Sequence, residues 1–206
     1  MSNNHEKNLF IFTAPSGAGK TTLIQRILDY AEEKKYKVHL SISHTTRQPR
    51  SGEESSKDYF FISQEEFHRN ISDNLYIEHA VVHGNLYGTP KTQIDQKLIE
   101  GYKVFLEIDW QGALDILKIY PNAESIFILP PSIDHLRKRL EERGLDNEEV
   151  ISRRIEGAAL EIEKAPHFKH QIVNISLDTA TKNLINIIFG ENNGKNNSWR
   201  MLKTSR

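Results

Sequence analysis

Residues 14–21, which read APSGAGKT, have the residue types of a phosphate-binding loop. They match the pattern G-x-x-x-x-G-K-[ST] except at the first position, where alanine replaces glycine. Such a loop binds phosphates with backbone N–H groups, extends a lysine to the outer phosphates and offers a hydroxyl to Mg²⁺. The pattern predicts nucleotide binding by Ala14, Pro15, Ser16, Gly17, Ala18, Gly19, Lys20 and Thr21.

The missing first glycine is not expected to prevent phosphate binding. Gly17 and Gly19 supply the unusual φ angles and the close backbone approach that the loop requires. Ala14 follows a predicted strand, where a negative φ is sufficient and a methyl group can be accommodated. The loop also lies between a predicted strand and a predicted helix, the context in which this motif binds phosphate.

A second basic cluster lies in residues 41–61, SISHTTRQPRSGEESSKDYFF. Arg47 and Arg50 flank a Gln-Pro turn, and Tyr59 follows on the next predicted strand. Two guanidinium groups on a rigid turn suit a dianionic phosphate, because arginine binds oxyanions bidentately. A charged loop in water would have the same composition, so this segment alone leaves both readings open.

The elements that must position these residues alternate along the chain. Short apolar runs predict buried strands, and amphipathic patterns predict helices between most of them. This alternation predicts an α/β fold with a parallel sheet covered by helices on both faces. The predicted strands are residues 9–14, 38–43, 104–109, 125–130 and 171–176.

Two segments interrupt the alternation. Residues 44–88 indicate antiparallel strands around one helix, for which Ser63 and Glu66 have capping-box spacing. Residues 132–165 indicate two helices, and Asp146 is the expected N-cap of the second. Both segments are interpreted as insertions into one α/β core.

Composition excludes several classes of protein. The 206 residues include 27 Lys and Arg against 28 Asp and Glu, so the basic bias of a nucleic-acid or membrane-surface protein is absent. There are no cysteines, and the nine histidines form no metal-binding pattern. No run of 18 apolar residues occurs, so we expect a cytoplasmic protein without nucleic-acid or membrane partners.

Several blocks together are similar to the guanylate kinase family, which consists of ATP-dependent GMP kinases. The blocks are APSGAGKTT, SISHTTRQPRSGE, KDYFF, IEHAVVHGNLYGTP and LEIDWQG, and the resemblance covers roughly residues 9–190. It implies a P-loop NTPase-type parallel sheet flanked by helices, with an inserted mixed-β GMP-binding lobe and a helical lid. The implied division is an arm (1–8), a core (9–43, 89–131 and 166–190), a GMP-binding lobe (44–88), a lid (132–165) and a disordered tail (191–206).

The resemblance also implies the reaction and its ligands. The expected reaction is phosphorylation of GMP to GDP by ATP, with Mg²⁺ ligated by Thr21 and with Asn174 joining the loop in binding ATP. The positions that match the family's GMP-binding residues are Ser43, Arg47, Arg50, Tyr59, Glu78, Tyr87, Thr89 and Asp109.

Glu78 has a clear chemical reason to read guanine. Guanine presents N1–H and N2–H₂ as adjacent donors, and a carboxylate accepts both, whereas adenine presents a bare acceptor at N1. Discrimination of this kind reaches about 10⁴–10⁵. Asp109 is expected at a strand end, where it could contact either the guanine amino group or Mg²⁺ through water; both readings stay open.

The resemblance places catalytic cations in the phosphate loop and in the lid. Lys20, Arg139, Arg143 and Arg154 are expected to neutralise charge on the transferring phosphoryl group, although helix-surface charge is the alternative for the arginines. Two departures from the family are visible. The acid that commonly follows Asn174 is absent, and Glu107 takes a position often held by aspartate.

Two other functions remain as alternatives. A guanylate-kinase-like domain that binds protein partners without turnover would be expected to carry a damaged phosphate loop, whereas GAGKT is intact here. A related kinase for a ribose phosphate would have less reason to combine Tyr59, Glu78 and Thr89. The sequence leaves the formation of a homo-oligomer open.

Overall fold

The computed structural model describes residues 5–50, 52–82, 84–142, 144 and 147–191. The strands within this part are β1 (Leu9–Thr13), β2 (Val38–Ser41), β3 (His44–Thr45), β4 (Phe60–Phe61), β5 (Tyr76–Val82), β6 (Asn85–Pro90), β7 (Lys103–Glu107), β8 (Glu124–Leu129) and β9 (His170–Val173). The helices are α1 (Lys20–Glu33), α2 (Gln64–Ser72), α3 (Lys91–Ile99), α4 (Trp110–Ile119), α5 (Ile133–Glu142), α6 (Glu148–Ile162) and α7 (Leu177–Phe189).

The main sheet has five parallel strands in the order β2-β7-β1-β8-β9. The central strand β1 is buried at all five residues, because helices cover both faces. Phe10 and Phe12 pack on one face with α1 and α7, and Leu9 and Ile11 pack on the other with α3 and α4. The predicted parallel α/β sheet is confirmed.

The second sheet has the order β4-β3-β6-β5 and lies in the first predicted insertion. The pairs β5–β6 and β3–β6 are antiparallel, but β3 and β4 are parallel, so the expectation of only antiparallel strands was wrong. The mixed-β character implied by the family resemblance is confirmed. Ser63 caps α2 as predicted, since its Oγ accepts a 3.1 Å hydrogen bond from the N–H of Glu66.

The structure differs from the sequence-based predictions at the end of β7 and at the N-cap of α6. Strand β7 ends at Glu107, and Asp109 is instead the N-cap of α4, with Oδ1 accepting a 2.7 Å hydrogen bond from the N–H of Gly112. The N-cap of α6 is Asn147, and Asp146 lies outside the described residues. Short polar side chains satisfy the first free N–H groups of a helix, which explains why these residues begin helices.

The two ends of the domain are held by polar contacts. Glu6 is only 5% exposed and accepts hydrogen bonds from the backbone and side chain of Asn122, so part of the predicted arm is packed on the core. Glu191 accepts hydrogen bonds from the hydroxyls of Tyr30 and Tyr36, which places the first residue of the predicted tail against α1. The rest of that predicted tail, 192–206, lies outside the described residues.

Helices α5 and α6 form the second predicted insertion and pack on each other. Leu136 and Leu140 of α5 are fully buried. Across the described residues, none of the helices has the length and apolar character needed to cross a membrane.

Candidate active site

The predicted phosphate loop connects β1 to α1. Gly17 and Gly19 have φ angles of 88° and 94°, in the left-handed region that glycine adopts easily. Ala14 is not among the described non-glycine residues with positive φ, in agreement with the expectation that alanine fits there. Gly19 is the N-cap of α1 and has no side chain to cap the first turn, an arrangement that suits an anion at this helix end.

The side chains of Lys20 and Thr21 both contact the carboxylate at the end of β7. Thr21 Oγ1 donates a 2.6 Å hydrogen bond to Oε1 of Glu107, and the same oxygen is 3.7 Å from Lys20 Nζ. Lys20 also donates a 3.3 Å hydrogen bond to the carbonyl of Ile108. Sequence reasoning noted Glu107 only as a departure from the family pattern, whereas the structure places it between the two predicted phosphate and metal ligands.

Arg139 and Asn174 brace the phosphate loop. Asn174 Nδ2 donates a 2.8 Å hydrogen bond to the carbonyl of Ala18. Arg139 donates to that carbonyl over 3.4 Å and to the carbonyl of Asn174 over 3.1 Å. A Cβ built on Gly17 would lie 3.0 Å from Leu136, so α5 packs directly on the loop.

A cavity of about 320 Å³ lies beside this braced loop. Its walls come from the loop, from α5 and from the start of α7. The size is at the lower end of the range for small-molecule sites. The lining residues are Gly17, Gly19, Thr22, Arg139, Glu142, Asn174 and Leu177.

The other predicted cations in the lid differ in position. Arg154 lies on α6, seven residues before Glu161, and this spacing puts both on one helix face. Arg143 lies outside the described residues. Glu161 was missed by the sequence analysis; burial raises its pKa to about 7, with Lys20 acting to lower it and Asp109 acting to raise it. A position on a helix surface offers no local signal for such a long-range electrostatic interaction.

Arg47 of the second basic cluster is held in place by several partners. Its Nε donates a 3.0 Å hydrogen bond to the hydroxyl of Tyr87, and its guanidinium also pairs with Glu53 over 2.9 Å. The guanidinium also lies over the ring of Tyr59, 5.4 Å from the centroid. Arg50 is exposed, and its backbone N–H donates to Glu53 over 2.7 Å.

Glu53 was not singled out from the sequence, yet it organises this turn. Although burial acts to raise the pKa of Glu53, hydrogen bonds from Arg47 and from the backbone of Arg50 lower it overall. The ionised carboxylate therefore fixes the turn that presents both arginines. Nearby, burial raises the pKa of the Tyr59 phenol, so this hydroxyl stays protonated and able to donate a hydrogen bond.

Glu78 and Thr89 face each other on neighbouring strands β5 and β6. Thr89 Oγ1 donates a 2.5 Å hydrogen bond to Glu78 Oε1, and it is 3.4 Å from Ser43 Oγ. Glu78 is 8% exposed. Burial raises its pKa to about 7, while the Thr89 hydrogen bond lowers it and the charge of Asp109 raises it.

The segment 107–112 connects the two groups of predicted site residues. At its start, Glu107 contacts Lys20 and Thr21. At its end, Gly112 lies so close to Glu78 that an added Cβ would be 2.6 Å from Oε2. Six residues of chain thus join the phosphate loop to the buried carboxylate, and a narrow cleft beside them is lined by Ser41, Ser43, Lys57, Tyr59 and Glu107 among others.

The described residues contain no group of three or more His, Asp or Glu side chains that could hold a metal ion. The Thr21 hydroxyl is nevertheless suited to Mg²⁺, because its hydrogen is directed to Glu107 and its lone pairs remain for a cation. Mg²⁺ is usually held by one or two protein oxygens together with substrate phosphates. The donor set therefore fits a metal that arrives with a nucleotide.

Comparisons with known proteins agree with this geometry. A family model described as guanylate kinase matches residues 6–191. The guanylate kinase of Escherichia coli strain K12 is 48% identical over 183 residues, which cover 89% of this chain and 87% of that protein. That of Hahella chejuensis is 48% identical over 183 residues, covering 89% and 86%. The crystal structure of guanylate kinase from Anaplasma phagocytophilum gives a TM-score of 0.71 at 32% identity, covering 90% of this chain and 86% of that one.

Proposed function

This chain belongs to the guanylate kinase family, and we propose that it converts ATP and GMP to ADP and GDP with the residues gathered around segment 107–112. It is a nucleoside monophosphate kinase, a phosphotransferase. The observation that carries the residue assignment is the connection of an intact phosphate loop to the buried Glu78 carboxylate through one short segment.

The donor side of the proposed mechanism uses the loop and the lid. Residues 14–21 and Asn174 bind ATP, and Lys20 contacts its outer phosphates. Thr21 would ligate Mg²⁺, which when bound would neutralise charge on the ATP phosphates. Lid arginines Arg139, Arg143 and Arg154 stabilise the charge on the oxygens of the transferring group, which is the main requirement of phosphoryl transfer.

The acceptor side uses the second sheet. Arg47, Arg50, Tyr59 and Tyr87 bind the GMP phosphate, with Ser43 beside them. Ionised Glu78 accepts hydrogen bonds from N1–H and N2–H₂ of guanine, supported by Thr89 and Asp109. We assign Arg47, Arg50, Tyr59, Glu78 and Tyr87 to a GMP-binding lobe, 44–88, whereas Ser43, Thr89 and Asp109 belong to the core. Helices α5 and α6 form the proposed lid, 132–165, and all of these boundaries stay predictions.

The transfer itself is a direct in-line displacement. An oxygen of the GMP phosphate forms a bond to the γ-phosphorus of ATP, and the bond from that phosphorus to the β–γ bridging oxygen breaks. ADP is the leaving group, and no covalent enzyme intermediate forms. Enclosure by the lid keeps water from accepting the phosphoryl group. A cytoplasmic location stays a prediction from the sequence.

A coupled assay that detects ADP tests the proposal. The purified chain is supplied with ATP and Mg²⁺ and with GMP, dGMP, AMP, UMP or ribose 5-phosphate in separate wells. We expect kcat/KM for GMP to exceed that for AMP by about 10⁴-fold. Turnover of ribose 5-phosphate at the GMP rate would favour the sugar-phosphate alternative, and absence of turnover with every acceptor would favour a non-catalytic interaction domain.

A further inference from the structure

Gly112 lies in the first turn of α4 and packs against the Glu78 carboxylate. A Cβ built on Gly112 would be 2.6 Å from Oε2 of Glu78 and 3.0 Å from its Cδ. It would also be 3.3 Å from Oδ1 of Asp109, the N-cap of the same helix. Contacts this short cannot be accommodated without movement, so any side chain at position 112 must displace the carboxylate.

The backbone at Gly112 does not itself require glycine. The glycines with positive φ in the described chain do not include Gly112, which has helical conformation. Alanine is a better helix former than glycine by about 1 kcal/mol in a helix interior. The backbone thus gives no reason for glycine at this helical position, and the space that it leaves is filled by Glu78.

We propose that Gly112 is a specificity-determining positioning residue: by lacking a side chain, it lets Glu78 hold the orientation that reads the acceptor base. This inference rests on the proposed role of Glu78 in guanine recognition. Oε1 is fixed by Thr89, and Oε2 lies against the first turn of α4. A methyl group at position 112 would push on Oε2 and rotate the carboxylate out of this orientation.

The displaced group is the flexible end of a side chain, not backbone. Glu78 extends from β5, which packs on α4, so its carboxylate end can shift while the strand and the helix stay in place. The fold should therefore tolerate Gly112→Ala while the recognition geometry should not. A purely structural role for Gly112 predicts the opposite pattern, with lost stability and unchanged base selectivity.

The matched control is Gly157→Ala. Gly157 is also a helical glycine, in α6, and a Cβ there would meet nothing within 4 Å. Gly17 and Gly19 are unsuitable controls because their positive φ angles would strain any alanine. Both variants add a methyl group to a helical glycine, and only at position 112 does that methyl group meet Glu78.

The test measures thermal unfolding and the kinetics of both acceptors for Gly112→Ala, Gly157→Ala, Glu78→Ala and the Gly112→Ala/Glu78→Ala double variant. For Gly112→Ala we expect a Tm at or above wild type, an unchanged KM for ATP, and a GMP-over-AMP preference lowered by about tenfold or more. Gly157→Ala serves as the reference for thermal stability only, because α6 belongs to the proposed lid. Adding Gly112→Ala to Glu78→Ala should cause no further loss of preference, because the carboxylate is already absent.

The outcomes separate the two levels of inference. If Glu78→Ala keeps full preference for GMP, the proposed role of Glu78 fails and the inference on Gly112 fails with it. If Glu78→Ala loses the preference and Gly112→Ala keeps it, only the inference on Gly112 is overturned. A Tm for Gly112→Ala well below that of Gly157→Ala would also overturn it, since the methyl group would then disturb the fold rather than the carboxylate.

Discussion

The hydroxyl of Thr21 donates a 2.6 Å hydrogen bond to the carboxylate of Glu107, from the first turn of α1 to the last residue of β7. The same carboxylate oxygen is 3.7 Å from Lys20 Nζ. One acidic side chain therefore orients both the proposed Mg²⁺ ligand and the proposed phosphate-binding lysine. The role of the loop thus depends on a residue of a neighbouring strand.

Glu107→Ala should raise the Mg²⁺ concentration that the enzyme requires for activity. Partners that orient a metal ligand typically contribute 10- to 100-fold to metal affinity or activity, so we expect the Mg²⁺ concentration for half-maximal activity to rise by about that factor. The measurement is a Mg²⁺ titration at saturating ATP and GMP. Glu107→Asp should recover part of the loss, and Glu65→Ala, on the exposed side of α2, should behave as wild type. An unaltered titration for Glu107→Ala would contradict this orienting role.

Lys20→Ala should abolish most turnover while leaving GMP bound. Removal of a preorganised cation from developing phosphoryl charge is expected to lower kcat by about 10²–10³-fold. Calorimetry should still detect GMP binding, since none of the proposed GMP contacts involves Lys20. Lys118→Ala is the matched control, because Lys118 is exposed and pairs only locally with Asp115. An active Lys20→Ala enzyme would refute the proposed mechanism.

Arg139→Ala should lower kcat far more than Arg137→Ala on the same helix. Arg139 reaches the carbonyls of Ala18 and Asn174 at the phosphate loop, whereas Arg137 pairs with Glu141 and Glu148 within the lid. An arginine that neutralises the transferring group is worth about 10³-fold or more in rate. The measurement is the steady-state kcat of both variants. If the two variants lose kcat equally, Arg139 contributes only general positive charge on the helix surface.

Glu78→Gln should change how stability depends on pH. The pKa of Glu78 is raised to about 7 from an ordinary value of 4.5, mainly by burial, so between these values the folded protein binds more protons than the unfolded chain. The stability that this group contributes is present below pH 4.5 and lost as pH rises through 7. The difference in free energy of unfolding between Glu78→Gln and wild type should therefore change by about 2 kcal/mol in favour of Glu78→Gln as pH rises from 5 to 8.

Urea unfolding of both proteins at the two pH values measures this difference. Glu161, whose pKa is also raised to about 7, titrates in both proteins and cancels in the comparison. Parallel pH profiles for wild type and Glu78→Gln would show that the folded protein does not keep Glu78 protonated.

Local patterns predicted most elements of the fold. The apolar run of β1, the glycines of the loop and the Ser63 cap were readable because each depends on neighbouring residues. The predicted ends of strands were less accurate. At Asp109 the prediction was wrong because an aspartate after an apolar run can either end a strand or cap the next helix. The parallel pairing of β3 and β4 was missed, since strands of two residues carry almost no periodic signal.

The sequence by itself determined the α/β fold, the position of the loop between β1 and α1 and, through family resemblance, the reaction, whereas the residues of the two binding sites stay predictions. Only the tertiary structure showed that Glu107 orients Thr21, that Glu53 holds Arg47, and that Gly112 makes room for Glu78. The physical reason is distance along the chain. Thr21 and Glu107 are 86 residues apart, and a contact of that kind exists only after parallel strands have brought their ends to one edge of the sheet.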